Sequence, residues 1–198
     1  AELIRQMDDC VKNNQEPKLP PLNLRSVWLN INRAATNVIL GPQDRLIYGD
    51  PWIEEVILGI RSRISPQAFF QVNPRQTARL YQTVLDMAAL QGHEQVLDLY
   101  CGTGSITLQL AKTARQVLGI ESHPTAIADA RINADLNGLT NTTFIAGKTE
   151  DILPEWQKQH KTADLVVLDP PRKGCDPAVI AALGDLQAPR LIYVSCNP

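Results

Sequence analysis

From residue 95 onward, short apolar runs alternate with helix-patterned segments, and this alternation restricts the fold more than any other feature of the chain. QVLDLY (95–100), QVLGIES (116–122), NTTFIAG (141–147), DLVVLDPP (164–171) and RLIYVSC (190–196) read as strands. Between them, SITLQLAKTA (105–114), HPTAIADARINADLNG (123–138) with Gly138 as its stop, WQKQH (156–160) and PAVIAALGDL (177–186) read as helices. Five β-α repeats predict an α/β fold with a doubly wound parallel sheet, preceded by a helix over NPRQTARLYQTVLDMAAL (73–90).

The first 66 residues are patterned differently. A helix over ELIRQMDDCVKN (2–13) leads through the Pro-rich EPKLPPLN (16–23) to β-type runs: SVWLNIN (26–32), NVILG (37–41), DRLIYGD (44–50) and EEVILGIRSRIS (54–65). Residues 1–66 are therefore expected to form a helix plus a small β-rich lobe, and residues 67–198 the α/β domain. Nineteen Lys and Arg against 21 Asp and Glu give a net charge of −2, without the basic surplus of a free-standing nucleic-acid binder. No apolar run reaches the roughly 18 residues that span a bilayer, and AELIRQMDDC lacks the layout of a signal peptide, which predicts a cytoplasmic protein without membrane contact. Cys10, Cys101, Cys175 and Cys196 are widely separated, so neither a disulfide framework nor a metal site is predicted.

In doubly wound sheets ligands bind beyond the carboxyl ends of the strands, and the polar residues there were read for chemistry. LDLYCGTGS places Gly102 and Gly104 in a tight strand-to-helix turn, with Ser105 opening the helix and Thr107 where a dinucleotide fingerprint has its third glycine. Glu121 ends the next strand, 17 residues after Gly104, where an acid accepts the ribose hydroxyls of an adenosine; the alternative is an acid capping the following helix. Asp169, stiffened by Pro170 and Pro171, matches the rigid turn with which base methyltransferases hold a flipped base; Arg172 and Lys173 follow in place of a stacking aromatic. Cys196 falls at the carboxyl end of the fifth strand. A thiolate there could add to carbon 6 of uracil and make carbon 5 nucleophilic.

AFFQVNP, VLDLYCGTGSITLQLA, LDPPRKG and VSCNP, in this order, resemble the S-adenosylmethionine-dependent RNA 5-methyluridine methyltransferases, over residues 24–198. The resemblance implies a Rossmann-like methyltransferase sheet, methyl transfer to carbon 5 of a uridine in ribosomal or transfer RNA, and a monomer that uses S-adenosylmethionine. It also implies residue roles. Cys196 would be the nucleophile; Gln71 would lie between cofactor and base; Tyr100 and Glu121 would hold the cofactor; Asp169 would sit where cofactor and uracil meet. Gly102, Gly104 and Ser105 would shape the cofactor loop, with Asp98 as a supporting acid. Capping of the helix at residue 74 is the plainer role open to Gln71, and core packing the plainer role open to Tyr100. The family's N-terminal RNA-binding barrel, its iron-sulfur cysteines and the Glu that serves as general base beyond the nucleophile have no counterpart in the sequence. A fragment truncated at its C-terminus, with poor turnover and no iron-sulfur cluster, is expected. An NAD-dependent oxidoreductase and a catalytically silent RNA-binding module are the alternatives.

Overall fold

The computed structural model describes residues 24–33, 40–41, 43–159 and 162–195. The expected helix over residues 2–13, most of the NVILG run, Cys10 and Cys196 lie outside these residues. By contacts the chain divides into Ala1–Ile53 and Glu54–Pro198. In the first unit β1 (Ser26–Ile31) pairs antiparallel with β2 (Gln43–Gly49). Asn30 ties the ribbon's open end, its carboxamide bonding both the N–H and the C=O of Gly41.

In the second unit the run 54–65 folds back on itself as β3 (Ile53–Ile57) and β4 (Ile60–Ile64). The two-residue turn between them has positive φ at both Leu58 (47°) and Gly59 (81°), the twist that suits a tight hairpin. Then follow α1 (Pro74–Ala88), β5 (Gln95–Leu99), α2 (Ser105–Ala111), β6 (Gln116–Glu121), α3 (Pro124–Leu136) and β7 (Thr142–Ala146). The chain continues through α4 (Thr149–Lys158), β8 (Leu165–Leu168), α5 (Pro177–Leu186) and β9 (Leu191–Tyr193). The five later strands form one sheet of order β7-β6-β5-β8-β9, parallel throughout. The doubly wound α/β expectation is met.

Two elements differ from the sequence reading. Helix α4 begins at Thr149 rather than Trp156, with Glu150 and Asp151 in its first turn, where acids suit the helix dipole. Pro154 inside that segment reads as a breaker, but Leu153 is fully buried and Trp156 packs beside it, so tertiary packing overrides the local signal. Strand β9 is three residues long, half the expected length, although the Val194 N–H still donates to Leu168 O (2.8 Å). Gly138, with φ 65°, terminates α3 as expected.

The central strands are buried on both faces, which explains their unbroken apolar character. Val96, Val117 and Val167 pack under α1 and α2 with Tyr81, Val84 and Leu110; Leu97, Leu99, Val166 and Leu168 pack with Leu153 and Val179 on the other face. The hairpin is joined to α3 by a ladder of side chains. Asn137 bonds the N–H (3.0 Å) and C=O (2.7 Å) of Arg61, and Asn133 those of Arg63 (2.7 and 3.1 Å). Asp129 accepts from the N–H (3.0 Å) and hydroxyl (2.7 Å) of Ser65. One face of α3, read every fourth residue, thus supplies the bonds that a neighbouring strand would give β4. Asn133 is wholly buried, and its removal strands two main-chain groups. Asn133→Ala should lower the unfolding free energy in urea by about 2–4 kcal/mol, and the more exposed Asn137→Ala by about 1 kcal/mol. Equal losses would contradict the ladder.

Candidate active site

The turn from β5 to α2 departs sharply from ordinary backbone. Tyr100 (φ 63°), Gly102 (55°) and Gly104 (80°) are all left-handed within five residues. Gly104 caps α2, and a Cβ there would press on Ala130 (3.1 Å) and the Phe144 ring (3.2 Å). A Cβ at Gly102 would meet nothing within 4 Å. Its bare face opens on a cavity of about 920 Å³ at the carboxyl edge of the sheet. That volume falls in the range of cofactor and substrate sites.

Gln71, Tyr100, Gly102, Ser105, Glu121 and Asp169 all line this cavity, while Gly104 stands behind it as the helix cap. Glu121 joins two loops: Oε2 accepts the Gly102 N–H (3.2 Å), and Oε1 accepts the Ser122 hydroxyl (2.9 Å) and the His123 N–H (2.7 Å). The carboxylate therefore secures the start of α3 and faces the cavity at once, and the two roles weighed from sequence are compatible. The capping role open to Gln71 belongs to Asn73, whose Oδ1 accepts the Gln76 N–H (3.2 Å). Close by, the Phe69 ring is 76% exposed at the cavity rim.

Asp169 continues the sheet by donating its N–H to Leu99 O (3.3 Å), and burial raises its carboxyl pKa. The chain then turns, the Gly174 N–H donating to Pro171 O (2.8 Å), and exposed Arg172 and Lys173 occupy the tip. Tyr100 approaches this loop near Cys175, and burial raises its pKa. Its ring lines the cavity and also packs against the core under α4 and α5.

Beneath the loop lies Asp98, 1% exposed, accepting the Thr107 hydroxyl at 2.5 Å. Burial pushes its carboxyl up to about 7; Asp169 and Glu121 push the same way, and the hydroxyl and N–H of Thr107 oppose them. Tyr81 was not singled out from sequence. It belongs to the stripe Thr77, Tyr81, Val84 and Ala88 buried along α1, which reads simply as core. It lines the cavity together with Ser105, and burial lifts its pKa to about 12. Lys148 and Thr149, after β7, also line the cavity and carried no sequence motif. Burial holds the Cys101 thiol well above its ordinary pKa, consistent with a structural role. Among the described residues no group of three or more His, Cys, Asp or Glu could hold a metal ion, and no helix is long and apolar enough to cross a membrane.

A strand-loop-helix glycine turn, an acid ending the next strand and an Asp-Pro-Pro turn after β8 thus meet at one sheet edge. The family described as Methyltransferase domain matches residues 90–190, just over half of the chain, and the chain belongs to it. Among curated proteins, the chain is 50% identical over 177 residues to one from Listeria innocua named "Uncharacterized RNA methyltransferase". That match covers 89% of this chain and 39% of the relative. A protein of the same name from Lactiplantibacillus plantarum is 44% identical over 192 residues, 97% of this chain and 42% of its own. The chain thus spans about two fifths of the length of the curated relatives it matches. Among solved structures, the Pyrococcus abyssi tRNA (uracil-54, C5)-methyltransferase in complex with S-adenosyl-L-homocysteine superposes with a TM-score of 0.74 at 30% identity. The superposition covers 90% of this chain and 43% of that one.

The raised pKa of Asp98 has a measurable sign. A buried acid that prefers its proton stabilises the fold most at low pH, and that stability is lost as pH rises from the ordinary carboxyl range toward about 7. Asp98→Asn should flatten this slope and leave the ligand-free variant more stable than wild type by a few kcal/mol at alkaline pH. Thermal melts across the pH range provide the check; parallel curves for the two proteins would show that Asp98 titrates normally.

Proposed function

We propose that the chain forms the methyl-transferring part of an RNA methyltransferase that uses S-adenosylmethionine and acts on carbon 5 of a uridine in transfer or ribosomal RNA. The observation that carries the reading is the meeting of Gly102, Glu121 and Asp169 on one cavity at the switch between β5 and β8. Support for RNA comes from the names of the curated relatives, and support for uracil carbon 5 from the Pyrococcus enzyme.

The residues present suit the cofactor. The open face at Gly102 lets a ligand lie against the backbone, and Asp98, Glu121 and Asp169 give the cavity the negative charge that complements a sulfonium and an ammonium group. Glu121 would accept the ribose hydroxyls, and Ser105 and Tyr100 would border the nucleoside. When bound, S-adenosylmethionine supplies an electrophilic methyl group. On the base side, the Cys196 thiolate would add to carbon 6 of uracil, leaving carbon 5 electron-rich. Once carbon 5 carries the methyl group, a base removes its proton and the carbon 6–sulfur bond breaks, returning the thiolate. Gln71 would hold the polar edge of the uracil, and Phe69 would stack on a neighbouring base. Arg172 and Lys173 place positive charge at the mouth, where RNA phosphate and the Cys196 thiolate would both benefit.

Two measurements test the proposal. Calorimetry should show S-adenosylhomocysteine binding in preference to NAD, weakened about 10–100-fold by Glu121→Ala; tighter NAD binding would favour an oxidoreductase. RNA carrying 5-fluorouridine should form a denaturation-resistant adduct in the presence of S-adenosylmethionine, because fluorine cannot leave as the proton does. The adduct should vanish in Cys196→Ser. Adduct formation by that variant, or none by wild type, would remove the covalent step.

A further inference from the structure

We propose that Thr107 is a positioning residue for the cofactor, its hydroxyl proton committed to Asp98 so that this carboxyl group can ionise toward the cationic part of S-adenosylmethionine when it binds. The inference rests on the cofactor reading above and assigns a role to a side chain that never faces the cavity.

Thr107 is wholly buried in the first turn of α2. A helical threonine ordinarily turns its hydroxyl back to the carbonyl four residues earlier. Here that carbonyl, Thr103 O, lies near the Asn133 carboxamide (3.4 Å), and the Thr107 hydroxyl points instead across to β5 and Asp98. Gly104, the capping residue, has no side chain to serve the free amides of α2. Asp98 lies beside this turn on the neighbouring strand and accepts the hydroxyl of Thr107. The place taken by a glycine in dinucleotide folds therefore holds the group that anchors the buried acid.

The groups that face Asp98 make this anchor necessary. Asp169 at the end of β8 and Glu121 at the end of β6 repel its charge; Tyr81 on α1 and Cys101 in the loop are neutral neighbours whose own ionisation Asp98 opposes. Burial adds to the cost of the charge. The Thr107 hydroxyl counters these effects in the free protein, and a bound cation would complete the ionisation. Cofactor binding should then release protons near neutral pH.

The test is calorimetric titration of the chain with S-adenosylmethionine from pH 6 to pH 9, for wild type, Thr107→Val and Thr107→Ser. Thr107→Val should bind about tenfold more weakly at pH 7 and regain wild-type affinity near pH 9, whereas Thr107→Ser follows wild type. A loss of the same size at every pH, an unchanged profile, or failure of the serine variant to restore it would overturn the proposal. If Thr107→Val does not fold, wild type alone decides. Titrations in two buffers of different ionisation enthalpy should show net proton release near pH 6.5, and none would overturn the inference. Wild type that binds no S-adenosylmethionine at any pH would instead bring down the cofactor reading itself.

Discussion

The pairing of β5 with β8 is the constraint on which the site depends. The chain leaves β5 toward β6 and β7 on one side and returns to lay β8 against the other, so the loops after these two adjacent strands diverge. Leu99 opposite Leu168 is the last pair in register, and both side chains are essentially inaccessible to water. Beyond them a single bond from the Asp169 N–H to Leu99 O still joins the two strands, and the loops then part. Tyr100 to Thr103 and Asp169 to Pro171 become the two walls of the cavity as a direct result.

Around this crevice the charge is arranged by depth. Asp98 is innermost and buried, Glu121 and Asp169 stand at the wall, and Arg172 and Lys173 are exposed at the tip of the turn. Lys148, Glu150 and Asp176 also line the cavity, so acids and bases are mixed at its rim.

Much of this was legible in the sequence because parallel strands are buried on both faces and glycine turns leave an unmistakable local pattern. QVLDLY followed by CGTGS announced its strand, turn and helix, and the acid at Glu121 could be placed from spacing alone. What escaped detection involved contacts across long separations or local signals overridden by packing. Tyr81 occupies a core stripe, and its place beside Ser105 in the cavity wall depends on how α1 packs over the sheet. The start of α4 was hidden by Pro154, which a buried Leu153 and the flanking Trp156 make tolerable. The polar residues along one face of α3 carry no motif, yet Asn133 is wholly enclosed.

That face sets its own limit. Four helical residues advance about 6.0 Å, and two residues of a strand about 6.6 Å, so a helix imitating a strand drifts by about 0.6 Å at each rung. Two asparagines absorb the drift with paired bonds; at the third rung an aspartate takes over, bonding an N–H and a hydroxyl instead of an N–H and a carbonyl. A fourth rung would be out of step by about 2 Å. The mimicry ends where the chain leaves β4 for the loop bearing Phe69 and Gln71, so that the backbone is released from its imitation partner just as it enters the cavity wall.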